Sequence, residues 1–255
     1  MTNKFKFTVN SLSGENISIE YEHENITVNK LKEEISKLSL YINSTLIVLN
    51  NGEQLTNNDT LNYTSKTIYF IVDKKKSFQS KEELKDAIKN YNSENVIDLY
   101  GKINDWNVSL ITDMSELFKD NYYFNENISN WDVSNVINMS CMFHGAEIFN
   151  QPLEWDVGKV NNMEYMFCNA LLFNQLLEWD VRNVTNMRYL FHNAQSFNQN
   201  LNWNVKNVTN MTCMFQYSEN FNQNLNWNII NVINKKHIFK KSLLEINNNL
   251  PDWYK

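Results

Sequence analysis

The sequence predicts an α/β protein in two parts: a small N-terminal domain of strands around one helix, then a right-handed solenoid of strand-helix repeats. Three observations predict it. Tryptophans stand at 106, 131, 155, 179, 203 and 227, so successive gaps are 25, 24, 24, 24 and 24 residues. Each gap holds two hydrophobic periods, one of two residues and one of three to four, as a strand followed by a helix would. Ahead of the tryptophans, residues 4 to 73 run as short alternating stretches broken by polar turns and by one helical pattern.

Within a repeat, Leu153, Trp155 and Val157 alternate with Glu154 and Asp156, and Leu201, Trp203 and Val205 do the same further on. That pattern reads as a strand with one buried face. Val184, Met187, Leu190, Phe191 and Ala194 then follow the spacing of one face of a short helix. The residue before the methionine is Asp113, Asn138, Asn162, Asn186, Asn210 and Asn234 in successive repeats. Asp and Asn are favoured N-caps, so this column predicts a column of helix starts. A two-turn helix is unstable alone in water, so stacking has to hold it. The repeat closes on Phe149-Asn150-Gln151, Phe173-Asn174-Gln175, Phe197-Asn198-Gln199 and Phe221-Asn222-Gln223, with Phe124-Asn125-Glu126 as an imperfect first copy. The Phe reads as core, and the amides as hydrogen-bonding groups of a tight corner. With only 5 Gly and 2 Pro in the chain, left-handed positions are expected to fall to Asn.

The string Trp-Asp-Val-x-Asn-Val-x-Asn-Met-x-x-Met-Phe-x-x-Ala-x-x-Phe-Asn-Gln-x-Leu, met almost whole from Trp131 to Leu153, resembles the BspA-type leucine-rich-repeat family. The resemblance covers roughly Tyr100 to Phe239. It implies a leucine-rich-repeat-like interaction scaffold with no catalytic residues to carry over. It also implies kinship with bacterial surface lipoproteins and with proteins of large viruses and protists.

In the N-terminal part, Phe5 to Val9 and Ile17 to Tyr21 read as a hairpin around Ser11-Leu12-Ser13-Gly14. Val28, Leu31, Ile35 and Leu38 form one face of a helix, followed by Leu46-Ile47-Val48-Leu49, a turn at Asn50-Asn51-Gly52-Glu53, and a last strand from Thr67 to Val72. This order, with Leu49-Asn50-Asn51-Gly52-Glu53-Gln54-Leu55 in its second half, resembles ubiquitin-like domains of the β-grasp fold over residues 1–74. Ile71-Val72-Asp73-Lys74 runs on without a terminal Gly-Gly, so the resemblance implies a fused domain read by partners, not a conjugated tag. The positions it matches to an apolar binding patch are Leu12, Leu49 and Ile71.

Residues 75–99 read as a linker and an N-terminal capping helix. Lys74-Lys75-Lys76-Ser77-Phe78-Gln79 is the solvated hinge, and Ser80-Lys81-Glu82-Glu83 is a capping box opening a helix through Leu84, Ala87, Ile88 and Tyr91. Five repeats fill 100–226. From 227 to 255 the register decays, the methionine column becoming Lys235, and this stretch reads as the C-terminal cap, with Trp253 out of register.

A net charge of -6 argues against nucleic acid. No run is apolar enough to insert in a membrane, and Met1-Thr2-Asn3-Lys4-Phe5 opens no apolar signal core, so a cytoplasmic or intracellular protein is expected. Three cysteines suit a reducing compartment and give no disulfide framework. No nucleophile elbow, phosphate loop or paired metal-ligand motif occurs, so neither enzyme nor cofactor is expected. The column Lys119, His144, Cys168, His192, Gln216 and Lys240 puts His, Cys and His on successive repeats. A linear stack cannot converge them at zinc distances, so no metal is expected.

Function should therefore lie on surfaces. Polar residues flanking the inward Leu, Trp and Val point outward, which makes Glu154, Asp156, Glu178, Asp180 and Asn204, with Ser134, Arg182 and Lys206 beyond them, the candidate partner-binding face. Parallel rungs about 4.8 Å apart bring these carboxylates into mutual repulsion, and a basic segment of a partner protein would relieve it. The leading expectation is an adaptor that holds one protein on its repeats and a second on its N-terminal domain. A structural, surface or virion adhesion protein is the alternative.

Overall fold

The computed structural model describes residues 5–11, 16–21, 25–36, 45–50, 53–54, 60–62, 68–73 and 76–254. They fall into two compact units, Met1–Lys75 and Lys76–Lys255.

The first unit runs β1 (Phe5–Ser11), β2 (Asn16–Tyr21), β3 (Asn25–Thr27), α1 (Val28–Ser36), β4 (Thr45–Asn50), β5 (Glu53–Gln54), β6 (Thr60–Asn62) and β7 (Ile68–Asp73). β1 and β2 pair antiparallel from Phe5↔Tyr21 to Asn10↔Asn16. β7 crosses back to lie parallel to β1 and antiparallel to β4, giving a sheet in the order β2-β1-β7-β4-β5. A separate antiparallel pair joins β3 to β6, a pairing too short for periodicity to announce. α1 buries Val28 and Leu31 along with Ile26 of β3 and Leu61 of β6. On its wet side Lys30 pairs with Glu33 and Glu34. Leu38 of the expected helix face lies outside the described residues, as does Leu12.

The second unit starts with a departure from the expected hinge. Phe78 is fully buried, its ring 4.1 Å from that of Tyr100 and 4.9 Å from that of Trp106. The flanking main chain is tied down as well, Lys76 N–H donating to Leu99 O and Phe78 N–H to Asn107 O. A lone phenylalanine among lysines reads as a polar link only until aromatic partners stand opposite it. α2 (Lys81–Lys89) buries Leu84, Ala87 and Ile88, and α3 (Glu94–Tyr100) buries Tyr100. Ser80 is the N-cap of α2 and accepts the Glu83 N–H. The Glu83 carboxylate reaches back to the N–H of Gln79, one residue earlier than a capping box has it.

The repeats stack as rungs, but not on the elements expected. Among the described residues from 106 to 242 there is no α-helix, and the strands shrink to single bridge residues. The bridges are parallel and fall on the Asp/Asn column: Asp113↔Asn138, Asn138↔Asn162, Asn162↔Asn186, Asn186↔Asn210 and Asn210↔Asn234. Asn186 is therefore a bridge residue and not a helix N-cap. Its side chain still accepts an N–H two residues on, that of Arg188, as Asn138, Asn162 and Asn210 do for Ser140, Glu164 and Thr212. The oxygen expected to cap a helix instead fixes a turn beside the bridge.

The stretch read as a helix is a chain of tight turns whose alternate N–H groups point to the next rung. Met163, Tyr165, Phe167 and Asn169 donate to Asn186, Arg188, Leu190 and His192, while Met166, Cys168 and Ala170 close turns onto Met163, Tyr165 and Phe167. Two residues in each rung, four apart, take positive φ and form two columns: Glu116, Cys141, Tyr165, Tyr189, Cys213 and His237, then Asp120, Gly145, Asn169, Asn193, Tyr217 and Lys241. Asn supplies few of these, against expectation. Cross-rung hydrogen bonds outweigh the modest cost of left-handed backbone in Tyr or Cys.

Leu153, Trp155 and Val157 do point inward, with Glu154 and Asp156 outward. No main-chain ladder holds this segment. From Trp131 on, each indole N–H donates to an aliphatic residue's carbonyl one rung back: Trp131 to Ile103 and Trp155 to Ile128, then Trp179 to Leu153, Trp203 to Leu177 and Trp227 to Leu201. Three aromatic columns make the core. Trp179 stacks on Trp203 at 6.4 Å, Phe167 on Phe191 at 5.5 Å and Phe173 on Phe197 at 6.1 Å, each pair within 7° of parallel. Trp253, expected out of register, continues the first column: it lies 6.3 Å from Trp227 and its indole donates to Leu225 O. The insertion of α4 (Leu243–Ile246) shifts its spacing and hides the match.

Candidate functional site

The face flanking the tryptophans is built by two columns with different duties. In the column after the six tryptophans from 106 to 227 every side chain is Asp or Asn, and each oxygen accepts the N–H two residues on. Asp132 holds Ser134, Asp156 holds Gly158, Asp180 holds Arg182, Asn204 holds Lys206 and Asn228 holds Ile230. These turns let Val136, Val160 and Val184 close back onto Val133, Val157 and Val181. Asp156, Asp180 and Asn204, read as partner-binding groups, are thus exposed but already engaged in shaping the rung. The restriction of this column to Asp and Asn in six successive repeats was the signal that could have revealed it.

The column before each tryptophan carries Asp105, Asn130, Glu154, Glu178, Asn202 and Asn226, all exposed. No hydrogen bond ties Glu154 or Glu178 among the described residues. They stand on adjoining rungs, beside tryptophan rings 6.5 Å apart. Arg182, expected to orient a partner, is turned onto Asp180, Nε lying 2.7 Å from Oδ2. That hydrogen bond holds the Asp180 carboxyl below its ordinary value. Lys206 is exposed, and Ser134 is half-buried. The geometry thus brings Glu154 and Glu178 together as free carboxylates and takes Asp180 and Arg182 out as a pair.

Next to this face an amide column braces the rungs: Nδ2 of Asn183, Asn207 and Asn231 donates to Gly158 O, Arg182 O and Lys206 O. A second brace runs through the Phe-Asn-Gln corners. Asn150 Oδ1 accepts from Asn174 N–H and Gln175 Nε2, and Asn174 Oδ1 accepts from Asn198 N–H and Gln199 Nε2. The amides are corner groups as expected, but their bonds run from rung to rung.

On the turn side Tyr165 and Tyr189 stack at 4.5 Å, and Arg188 lies over both rings, 5.9 and 5.0 Å from their centroids. Neither tyrosine column nor arginine was singled out from sequence, where single polar aromatics carry no pattern. In the column of His144, Cys168 and His192, burial lowers both histidines and pushes the Cys168 thiol up to about 12. No group of three His, Cys, Asp or Glu suited to a metal occurs among the described residues. Nor is any helix there long and apolar enough to cross a membrane.

In the first unit, Leu49 and Ile71 lie on β4 and β7. The register Leu49↔Tyr69 and Ile47↔Ile71 sets positions 49 and 71 on one face of the sheet.

No curated protein and no solved structure matches the chain. Residues 99–178 and 153–253 each match one family model, in agreement with the resemblance of the repeats to BspA-type proteins. The chain belongs to the family described as "Mycoplasma protein of unknown function, DUF285".

Proposed function

We propose that the chain is a non-enzymatic protein–protein interaction scaffold, a right-handed leucine-rich-repeat-like solenoid that holds one partner protein and a β-grasp, ubiquitin-like domain that holds a second. The observation that carries the first half is the free acidic pair Glu154 and Glu178, exposed on adjoining rungs beside a column of Asp and Asn side chains that is spent on the turns of the face. Two like charges held by a rigid stack repel at short range. A Lys- or Arg-bearing segment lying along the tryptophan edge removes that repulsion and finds a backbone already fixed, so little ordering cost is added. Asp132 and Asp156 extend the negative stripe, and Lys206 ends it.

The second half is supported by the strand order β2-β1-β7-β4-β5, with the first and last strands parallel, and by a helix following the opening hairpin. In this reading Leu49 and Ile71, with Leu12, form the docking patch.

The test spares the turn-forming residues. A Glu154→Lys, Glu178→Lys double variant should unfold at the native midpoint yet lose most binding of an Arg-rich peptide, with the native protein's binding falling as salt rises. Equal binding by native and variant protein at low salt would sink the acidic-face reading. For the first unit, a folded Leu49→Asp form that still captures every partner of the native chain would sink the patch.

A further inference from the structure

The last rung of the stack is covered over only half its length. Trp253 lies on Trp227 and Tyr254 packs edge-on against Phe239 at 5.1 Å, so the aromatic columns are closed. The other half, from 229 to 237, has nothing above it among the described residues. In the rungs below, Val205 and Val208 are 2% and 0% exposed, whereas Ile229 and Val232 in the same columns are half-buried. Ile230 and Ile233 are 82% and 80% exposed.

The main chain is open too. Each lower rung gives its N–H groups to the next, as Met211 does to Asn234 O and Cys213 to Lys236 O. The N–H groups of Lys235 and His237 are the last of that series and reach no acceptor among the described residues. The charge of the edge departs from that of the chain. Lys235, Lys236, His237, Lys240 and Lys241 sit within seven positions of a protein with net charge -6, and no acidic side chain pairs with the lysines among the described residues. A free edge with two donors, apolar side chains beside them and lysines around them is a template for one more strand of matching chemistry.

We infer that this edge docks an extended acidic segment of a partner protein, added as a further rung. Its carbonyls take the N–H groups of Lys235 and His237, its apolar side chains cover Ile229 and Val232, and its carboxylates face Lys235 and Lys236. A second copy in the same place would bring its own lysines against these, which charge disfavours. Lysines on an edge also serve simply to keep strands from adding, and the experiment separates that duty from docking. The surface lies apart from Glu154 and Glu178, so either proposal can fail alone.

The full chain is titrated with a synthetic nine-residue peptide of alternating Glu and Val, with a Lys-Val peptide as the control. Fluorescence anisotropy reads binding, and amide hydrogen exchange reads the edge. The expected result is binding of the Glu-Val peptide only, with new protection at the amides of Lys235 and His237. A Lys235→Glu, Lys236→Glu variant that unfolds at the native midpoint should bind roughly tenfold more weakly, the loss due to two charge pairs at a rim. No binding of the Glu-Val peptide, or binding that leaves those amides unprotected, overturns the inference. So does protection that appears without peptide and rises with protein concentration, which would give the edge to a second copy.

Discussion

At the scale of single residues, the same side chain has different worth at different heights in the stack. Asn174 Oδ1 accepts both the Asn198 N–H and the Gln199 amide. Asn222, two rungs up the same column, has a buried Oδ1 with no partner. Asn174→Ala should therefore cost about 1 to 2 kcal/mol, because it strands the Asn198 N–H in a half-buried place and leaves the Gln199 amide only the Asn174 carbonyl. Asn222→Ala strands none and should shift the urea midpoint far less. Equal shifts would mean that the ladder adds no stability. The half-buried histidines give a pH dependence of definite sign. His144 and His192 titrate below the ordinary 6.5, first because burial penalises the cation, and Nδ1 of each is buried without a partner. The unfolded chain thus binds protons more readily, so stability is full above about pH 6.5 and falls as pH drops toward the lowered folded-state values. Unfolding midpoints taken from pH 7.5 to 5 should show that loss, and a His144→Gln, His192→Gln double variant should show less of it.

At the scale of the element, the turn chain shows how far the residues could be read. The tryptophan register, the inward Leu-Trp-Val set and the Phe-Asn-Gln corners were legible because aromatic columns demand identity at every rung. The secondary structure was not. Val184, Met187, Leu190 and Ala194 recur every three to four residues in a helix and equally in consecutive four-residue turns, so spacing alone does not separate the two. What decides is where the N–H groups go, and Tyr165 or Cys213 at positive φ gives no warning of it. The candidate face was half legible: Glu154 and Glu178 stand free, whereas the turn-forming duty of Asp156 and Asp180 appears only when all six rungs are compared by column. Gly145 tests the backbone directly. Its φ is +72°, and an added Cβ would stand 2.7 Å from Asp120 Oδ1. Gly145→Ala should cost about 1 to 2 kcal/mol from left-handed strain alone, plus displacement of Asp120. A midpoint unchanged from native would mean that these turns tolerate any residue.

At the scale of the molecule, stability is a sum over neighbours. Trp179 touches the rings of Trp155 and Trp203 and the carbonyl of Leu153, all within one rung of itself. Trp179→Ala should cost about 3 to 5 kcal/mol, the range for a deeply buried aromatic. Contacts of this reach also make whole rungs interchangeable. Deleting residues 155–178 removes one 24-residue period and joins Glu154 to Trp179, so Trp179 takes the place of Trp155, Phe191 that of Phe167 and Asn186 that of Asn162. Every column then meets a residue of its own type: Trp131 is followed by Trp, Phe143 by Phe, and the Asn ladder from Asn150 resumes at Asn198. The loss is one rung's worth of stacking, while the caps at α2 and Trp253 still close the ends. In the shortened protein the repeat unit should unfold in one cooperative transition at a lower midpoint, with near-native circular dichroism per residue. Deleting 155–166 instead removes half a period and sets Phe167 where a tryptophan belongs, with polar turn residues in core columns, and it should abolish that transition. Tolerance of the half-period deletion, or collapse of the whole-period one, would mean that cohesion comes from somewhere other than register between rungs.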